Sequence, residues 1–267
     1  MEPNASRGLI SGPSIDPKSR PYLCGDGTQG RGDIGFAAGN NYLARAAKGR
    51  WLLLLNPDTR AYPGAIDQLI SAGDANPDFK VLGGVTVDRC GTRLEVSELH
   101  RPTLGRLIRR LLRIKPLAKA GGPGNGPFAA EAVSGGFMLI DHAAWMALGG
   151  LDERFFHYAE ELDFCARIAD AEGRIGFVPE ARVYHDVGSG NSHSPARLLY
   201  LLRGTATYYR KHFSAPVACA CLLVDWLVCA QQFAGSIVLS PVSRRYRRIS
   251  SSWRDAALRP WLWLGGY

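Results

Sequence analysis

Asn56-Pro57-Asp58-Thr59 follows directly on the apolar run Trp51 to Leu55, and it is the first place in the chain where residue type and position together suggest chemistry. A carboxylate just past the C-terminal end of a buried parallel strand sits where open α/β sheets place their ligands. Asp58 there suits a hard divalent cation, which takes oxygen ligands and neutralises phosphate oxygens. All four residues also favour turns, so a plain turn is the competing reading. A second cluster, Glu160-Glu161-Leu162-Asp163, follows the aromatic run Phe155-Phe156-His157-Tyr158. Carboxylates in a first helical turn are ordinary, because the helix N-terminus stabilises negative charge. Two adjacent carboxylates beneath aromatic rings can also supply a general base, its pKa raised by burial and a like-charged neighbour. Lastly, His185 closes the segment Ala181 to His185 ahead of a Gly/Ser-rich loop. A lone histidine there is ordinarily structural or exposed. Imidazole is also a common metal ligand, and Asp58 with His185 would leave positions open for a diphosphate.

These residues need elements to hold them. Gly35 to Ala47 patterns as a helix that ends at Lys48-Gly49 and passes straight into the strand Trp51 to Leu55. Consecutive apolar residues bounded by turn formers suit a strand buried on both faces of a parallel sheet. A helix from Pro63 to Ala75 and a strand from Val81 to Val87 continue the α/β alternation. Leu104 to Ala120 is basic and helix-compatible and leads into the glycine-rich loop Gly121 to Pro127. Beyond it the pattern predicts a strand at Ala132 to Ile140, a short helix at Ala143 to Leu148 and an amphipathic helix at Glu160 to Glu172. A strand at Ile175 to Val178 and the segment ending at His185 follow.

The chain has 267 residues, 46% apolar and 21% charged, which is enough to bury a core and close to ordinary globular usage. Its formal charge of +8 is concentrated in Arg101 to Lys119 and Arg244 to Arg254. That is local basicity, suited to anionic lipid or a phosphorylated substrate. The basic and aromatic interleaving that nucleic-acid stacking needs is missing, so no nucleic-acid partner is expected. The six cysteines, Cys24, Cys90, Cys165, Cys219, Cys221 and Cys229, form no CxxC and no zinc spacing. They read as reduced, buried thiols. Met1 to Arg31 lacks an apolar core of signal-peptide type, so a cytoplasmic protein is expected.

Past Ser194 the composition changes. Leu198 to His212 is helical, and Ala215 to Leu239 is strongly apolar, interrupted by Asp225, Gln231 and Gln232. That run is about long enough to span a bilayer, but a buried or interfacial helix is the preferred reading. Arg244, Arg245, Arg247 and Arg248, with Trp253, Trp261 and Trp263 behind them, suit a membrane surface. Three regions result: an irregular leader 1–33, an α/β domain 34–194, and a helical, membrane-associated region 195–267 with surface contact through 215–267.

The segments Gly35 to Asn41, Leu53 to Thr59, Ser134 to Ile140, Gly149 to Phe156, Glu160 to Asp163 and Val178 to Ala181 with His185 follow in the order seen in family-2 glycosyltransferases. The chain most resembles their rhamnosyltransferase-like branch. The resemblance implies a GT-A-like, Rossmann-like fold, with a mostly parallel sheet flanked by helices. It implies inverting transfer of rhamnose or a similar hexose from a nucleotide-diphosphate donor to a lipid-linked or cell-envelope saccharide, at the inner face of the cell membrane. Asn56-Pro57-Asp58 looks like the family's variant of the Asp-x-Asp motif, with Asp58 on Mg2+ or Mn2+ and His185 as the second ligand. Glu161 matches the base, while Glu160 and Asp163 would orient it or the acceptor. Asn40 and Asn41 resemble positions on the nucleotide side, and Ser134, Gly135 and Gly136 would let backbone approach the donor sugar.

The family normally opens with a strand, a helix and a second strand ending in an aspartate, and this sequence has no such pattern before Ile34. The expectation is therefore an N-terminally truncated domain. The competing class is a membrane-associated remnant that binds glycan or lipid without turnover.

Overall fold

The computed structural model describes residues 34–88, 91–92, 97–114, 126–185, 195–241 and 243–267, with 244–249 as backbone. The leader 1–33, most of the glycine-rich loop 121–127 and the loop before Ser194 lie outside the described residues, as do Cys24 and Cys90.

The described chain divides into two compact units, Met1–Arg101 with Gly121–Phe156 and Glu160–Val187, and Pro102–Ala120 with His157–Ala159 and Gly188–Tyr267. The first holds a mixed sheet. Its strands β1 (Trp51–Leu55), β2 (Thr59–Ala61), β3 (Phe79–Val87), β7 (Phe137–Asp141) and β8 (Arg174–His185) lie in the order β1-β7-β3-β8-β2, with β5 (Phe128–Ala130) also on β8. β4 (Glu98–Leu99) and β6 (Ala132–Val133) form a separate antiparallel pair. The α/β class expected from sequence stands, but a mostly parallel sheet does not. Among the described residues the one parallel pairing is β3 with β8, while β1–β7, β3–β7, β2–β8 and β5–β8 all run antiparallel. A run such as Leu52 to Leu55 records burial on both faces, and burial does not say which way a neighbour runs.

Helices cover both faces. Ala37 and Ala44 of α1 (Phe36–Ala44), Trp145 of α4 (His142–Ala147) and Phe164, Cys165 and Ile168 of α5 (Glu160–Asp170) share a core with Leu52, Leu54, Met138 and Ile140. On the other side Ala65, Leu69 and Ala72 of α2 (Ala65–Ala75) pack with Leu55, Leu82, Leu139 and Val183. The alternation of Leu54 and Leu55, or Ile140 and Leu139, between these cores is the period of two that a strand imposes.

Two strand expectations change in detail. The predicted strand Ala132 to Ile140 breaks at Ser134–Gly136 into β6 and β7. Ile175 to Val178 and Ala181 to His185 instead form one strand, with a register shift opposite Gly84 and Val85. Pro179 sits in that irregularity, where a strand tolerates a missing N–H.

The second unit is helical. It comprises α3 (Leu104–Leu111), α6 (Pro195–His212), α7 (Ala215–Leu239), α8 (Arg244–Leu258) and a 3-10 turn at Pro260–Leu262. Thus α3, which lies inside 34–194 in sequence, belongs with the C-terminal helices. Thr103 caps α3 by accepting from the Arg106 N–H. Of the tryptophans expected at a surface, Trp263 is buried and donates to the Ala256 carbonyl, so it is core; Trp261 is 70% exposed. Of the expected buried thiols, Cys165, Cys221 and Cys229 are buried, whereas Cys219 is exposed. Burial pushes the Cys165 and Cys229 thiols up to about 12, which keeps them protonated and unreactive.

Gly83 in the middle of β3 is fixed by packing: a Cβ there would lie 2.5 Å from Val133 Cβ. Gly83→Ala is expected to lower the unfolding free energy by about 1–3 kcal/mol, read as a lower urea midpoint, while Ser71→Ala on the exposed side of α2 leaves it unchanged.

Candidate active site

The sheet brings the sequence-predicted residues together in two groups joined by one turn. Asn56-Pro57-Asp58 connects β1 to β2 as a tight corner, closed by the Thr59 N–H donating to the Asn56 carbonyl at 3.0 Å. β2 then pairs with β8 so that Thr59 stands opposite His185. That register carries Asp58 to His185, with Oδ1 and Nε2 3.0 Å apart. Asp58 is half exposed and His185 mostly covered. Thr59, not singled out as a site residue from sequence, is buried here with a hydroxyl that has no partner among the described residues.

The carboxylates open α5. Glu160 is buried, and its Oε2 and that of Glu161 are both enclosed without a hydrogen-bond partner among the described residues. Burial, then the neighbouring Glu161 charge, pushes Glu160 well above the ordinary carboxylate range. Burial raises Glu161 as well. In each case a bond from the residue's own backbone N–H works the other way without winning. Immediately before them, Tyr158 and Ala159 both adopt positive φ, 69° and 70°. Two successive non-glycine residues in the left-handed region are costly, and such strain gathers where geometry must be exact for function.

Ser134–Gly136 links the two groups. The Asn56 N–H donates to the Gly136 carbonyl at 3.0 Å, and a Cβ on Gly136 would come within 3.1 Å of Asn56 Nδ2. One residue earlier, a Cβ on Gly135 would stand 3.7 Å from Glu161 Cβ. The two glycines therefore lie between the Asn-Pro-Asp corner and the carboxylate pair. The Ser134 hydroxyl accepts from the Gly136 N–H at 3.3 Å and shapes the turn.

Other predicted residues hold the site from outside. Asp163 is fully buried and paired with Arg167 at 2.8 Å; the same guanidinium donates to the Leu148 and Gly150 carbonyls. It fixes α5 to the Gly149–Leu151 turn, so its orienting role acts through the helix. Asn41, read as a nucleotide-side residue, is instead a clamp. Its amide donates to the Leu151 carbonyl and Glu153 and accepts from the Leu151 N–H, so it braces the Leu151 turn. Asn40 differs: Nδ2 donates to the Phe36 carbonyl, while its buried Oδ1 has no partner among the described residues.

Asp58 and His185 are the residues that could hold a divalent cation, and no group of three or more His, Cys, Asp or Glu is gathered among the described residues. One carboxylate and one imidazole suit a cation that completes its shell with water and phosphate oxygens rather than a protein cage.

No family model matches the chain. Over 163 residues it is 28% identical to the N-acetylglucosaminyl-diphospho-decaprenol L-rhamnosyltransferase of two strains of Mycobacterium tuberculosis, across 55% of this chain and 50% of that protein. Over that stretch the chain is similar to a rhamnosyltransferase. It spans about half the length of the curated relatives it matches. Among solved structures, the mannosyltransferase PcManGT from Pyrobaculum calidifontis with GDP-Man and Mn2+ is 16% identical with a TM-score of 0.48, over 84% of this chain and 66% of that one. GalNAc-T7 with UDP, GalNAc and Mn2+ is also 16% identical, at 0.45 over 67% and 36%.

The carboxylate pair is held at a cost to stability that depends on pH. A glutamate whose pKa is raised by folding stabilises fully below the unfolded value and loses that stability as pH climbs through the folded value. Glu160→Gln, which removes the ionisation, is therefore expected to unfold at a higher temperature than the parent at neutral pH. The advantage should vanish as pH drops below the ordinary carboxylate range; calorimetry across pH reads both limbs.

Proposed function

We propose that this chain serves inverting, metal-dependent transfer of rhamnose or a similar hexose from a nucleotide-diphosphate donor to a hydroxyl of a cell-envelope or lipid-linked saccharide. The observation that carries the reading is the placement of Gly135 and Gly136 between the Asp58 corner and the Glu160–Glu161 pair. A sugar lying against that turn would have its diphosphate on one side and a base on the other, as a single displacement requires. The similarity to a rhamnosyltransferase named for a decaprenol-linked substrate supports the sugar and the acceptor class.

Asp58 and His185 would hold a Mg2+ or Mn2+ ion, with Asn56 shaping the corner through its side chain. When bound, such an ion offsets charge on the departing diphosphate. The half-exposed setting of Asp58 supports this, since the oxygen must be reached by a solvated ligand. Backbone at Ser134–Gly136 and the unsatisfied Asn40 Oδ1 would meet the donor. Glu161, the position that matches the family's base, would take the proton of the acceptor hydroxyl, and Glu160 beside it would orient it. As that proton leaves, the acceptor oxygen forms its bond to the anomeric carbon from the face opposite the diphosphate. The anomeric carbon–oxygen bond to phosphate breaks, and its electron pair departs with the nucleotide. One base suffices for this step, so the partnered Asp163 is free to be a strut.

Residues 34–194 are read as the glycosyltransferase domain and 195–267 as a membrane-associated region, peripheral at the inner face of the cell membrane. A surface station suits an acceptor anchored in lipid.

Binding of a nucleotide-diphosphate rhamnose, followed by calorimetry with Mn2+ or with chelator, tests the reading. The expected result is binding that chelator abolishes and that Asp58→Ala or His185→Ala weakens at least about tenfold. Equal binding with chelator present would remove the metal from the account.

A further inference from the structure

The polarity of α7 is the reverse of that of a water-facing helix. Its polar groups turn inward. Asp225 is buried and accepts from the Tyr209 hydroxyl at 2.7 Å, with Arg110 of α3 3.6 Å away. Gln231 donates to the Leu111 carbonyl, and Ser236 is buried. The outward face is apolar along its length: Cys219, Leu223, Leu227, Ala234, Ile237 and Val238 recur at helical spacing and all are exposed, Val238 at 74%. Side chains at that spacing share one face. Asp225 is the one charged residue in Ala215–Leu239, and it lies on the covered side. Over 25 residues the helix runs roughly 37 Å, and the apolar stripe follows it from Cys219 to Val238.

Charge around the stripe identifies what covers it. Arg210 and Lys211 end α6 just before α7, and Arg244 and Arg245 open α8 just after it. Beside it, α3 leaves Ile108 and Leu112 exposed next to Arg106 and Arg109. An apolar strip edged by cations complements anionic lipid, whose phosphates meet arginine while the acyl boundary takes the leucines. Length and composition alone would let α7 cross a bilayer. Cations at both of its ends argue otherwise, because a crossing segment carries its Lys/Arg excess on one side. Its polar side is also occupied by Tyr209 and α3, so lipid would meet only one face.

We propose that α7 lies in the plane of an anionic membrane, with the Leu223–Leu227–Val238 stripe immersed at the headgroup boundary and the basic start of α8 at the lipid phosphates. This rests on the membrane contact proposed above, and not on sugar transfer.

The test is flotation of the full chain with vesicles of phosphatidylcholine alone or mixed with phosphatidylglycerol. The parent is expected to float with the mixed vesicles, less so at high salt, and to be released by alkaline carbonate. Leu223→Gln with Leu227→Gln should cut the bound fraction at least about tenfold, and Arg244→Gln with Arg245→Gln should erase the preference for anionic vesicles. Failure of the parent to float overturns the proposal, whatever the variants do. So does retention through carbonate, which marks a crossing helix, or a dimer in vesicle-free buffer that the leucine variant dissolves while still floating. Donor binding, followed alongside, separates the two readings: flotation without donor binding would sink the sugar-transfer reading alone.

Discussion

Two neighbouring glutamates, each with an enclosed oxygen that no described residue satisfies, oppose folding, and much of the first unit consists of contacts that hold them in place. A helix N-terminus offers backbone N–H groups to negative charge, and each glutamate takes its own. That does not offset burial, so both groups sit above their ordinary range. The remaining support comes from further away. Asp163 and Arg167 tie the helix to the Leu148–Gly150 turn, and Asn41 clamps Leu151 from α1. The Phe36 N–H reaches the Phe156 carbonyl at 2.9 Å, close beside the positive-φ Gly35. These are neutral or paired interactions that can be made at full strength, and they fix the position of two groups that cannot.

Much of this was legible in the sequence, for reasons that differ by residue. Asp58 and the carboxylate cluster stand at element boundaries, and boundaries are written locally in turn formers and acidic first turns. The strand Trp51–Leu55 was visible as an apolar run, yet its antiparallel pairing with β7 was not, since direction depends on a residue more than eighty positions away. The meeting of Asp58 with His185 was likewise beyond local reading, because the β2–β8 register creates it. Asn41 shows a role that its type does not announce. An amide with both a donor and an acceptor is suited to bracing a backbone turn, and only Leu151 lying within reach reveals that it does so. Ser134-Gly135-Gly136 was read as a glycine-rich approach to a sugar; that it also interrupts a strand and stands between two candidate groups needed coordinates.

The second unit applies the same chemistry with the polarity turned round. Asp225 interrupts an apolar run in sequence, where it looks like a defect. In three dimensions it is matched by Tyr209 and Arg110 on the covered side, so the outer face stays free of charge. Trp263 went the other way: read as an interfacial residue, it fills the helical core with its N–H on the Ala256 carbonyl. A tryptophan near basic residues suits either place, and its neighbours settle which.

The central claim is a division of labour within the pair, with Glu161 as base and Glu160 as the neighbour that orients it. Steady-state sugar transfer by Glu161→Gln and Glu160→Gln, under saturating donor, tests it most directly. The account predicts that Glu161→Gln lowers kcat by about 10²–10⁴-fold with donor binding intact, whereas Glu160→Gln keeps most of the rate. A Glu161→Gln chain that turns over like the parent would contradict it.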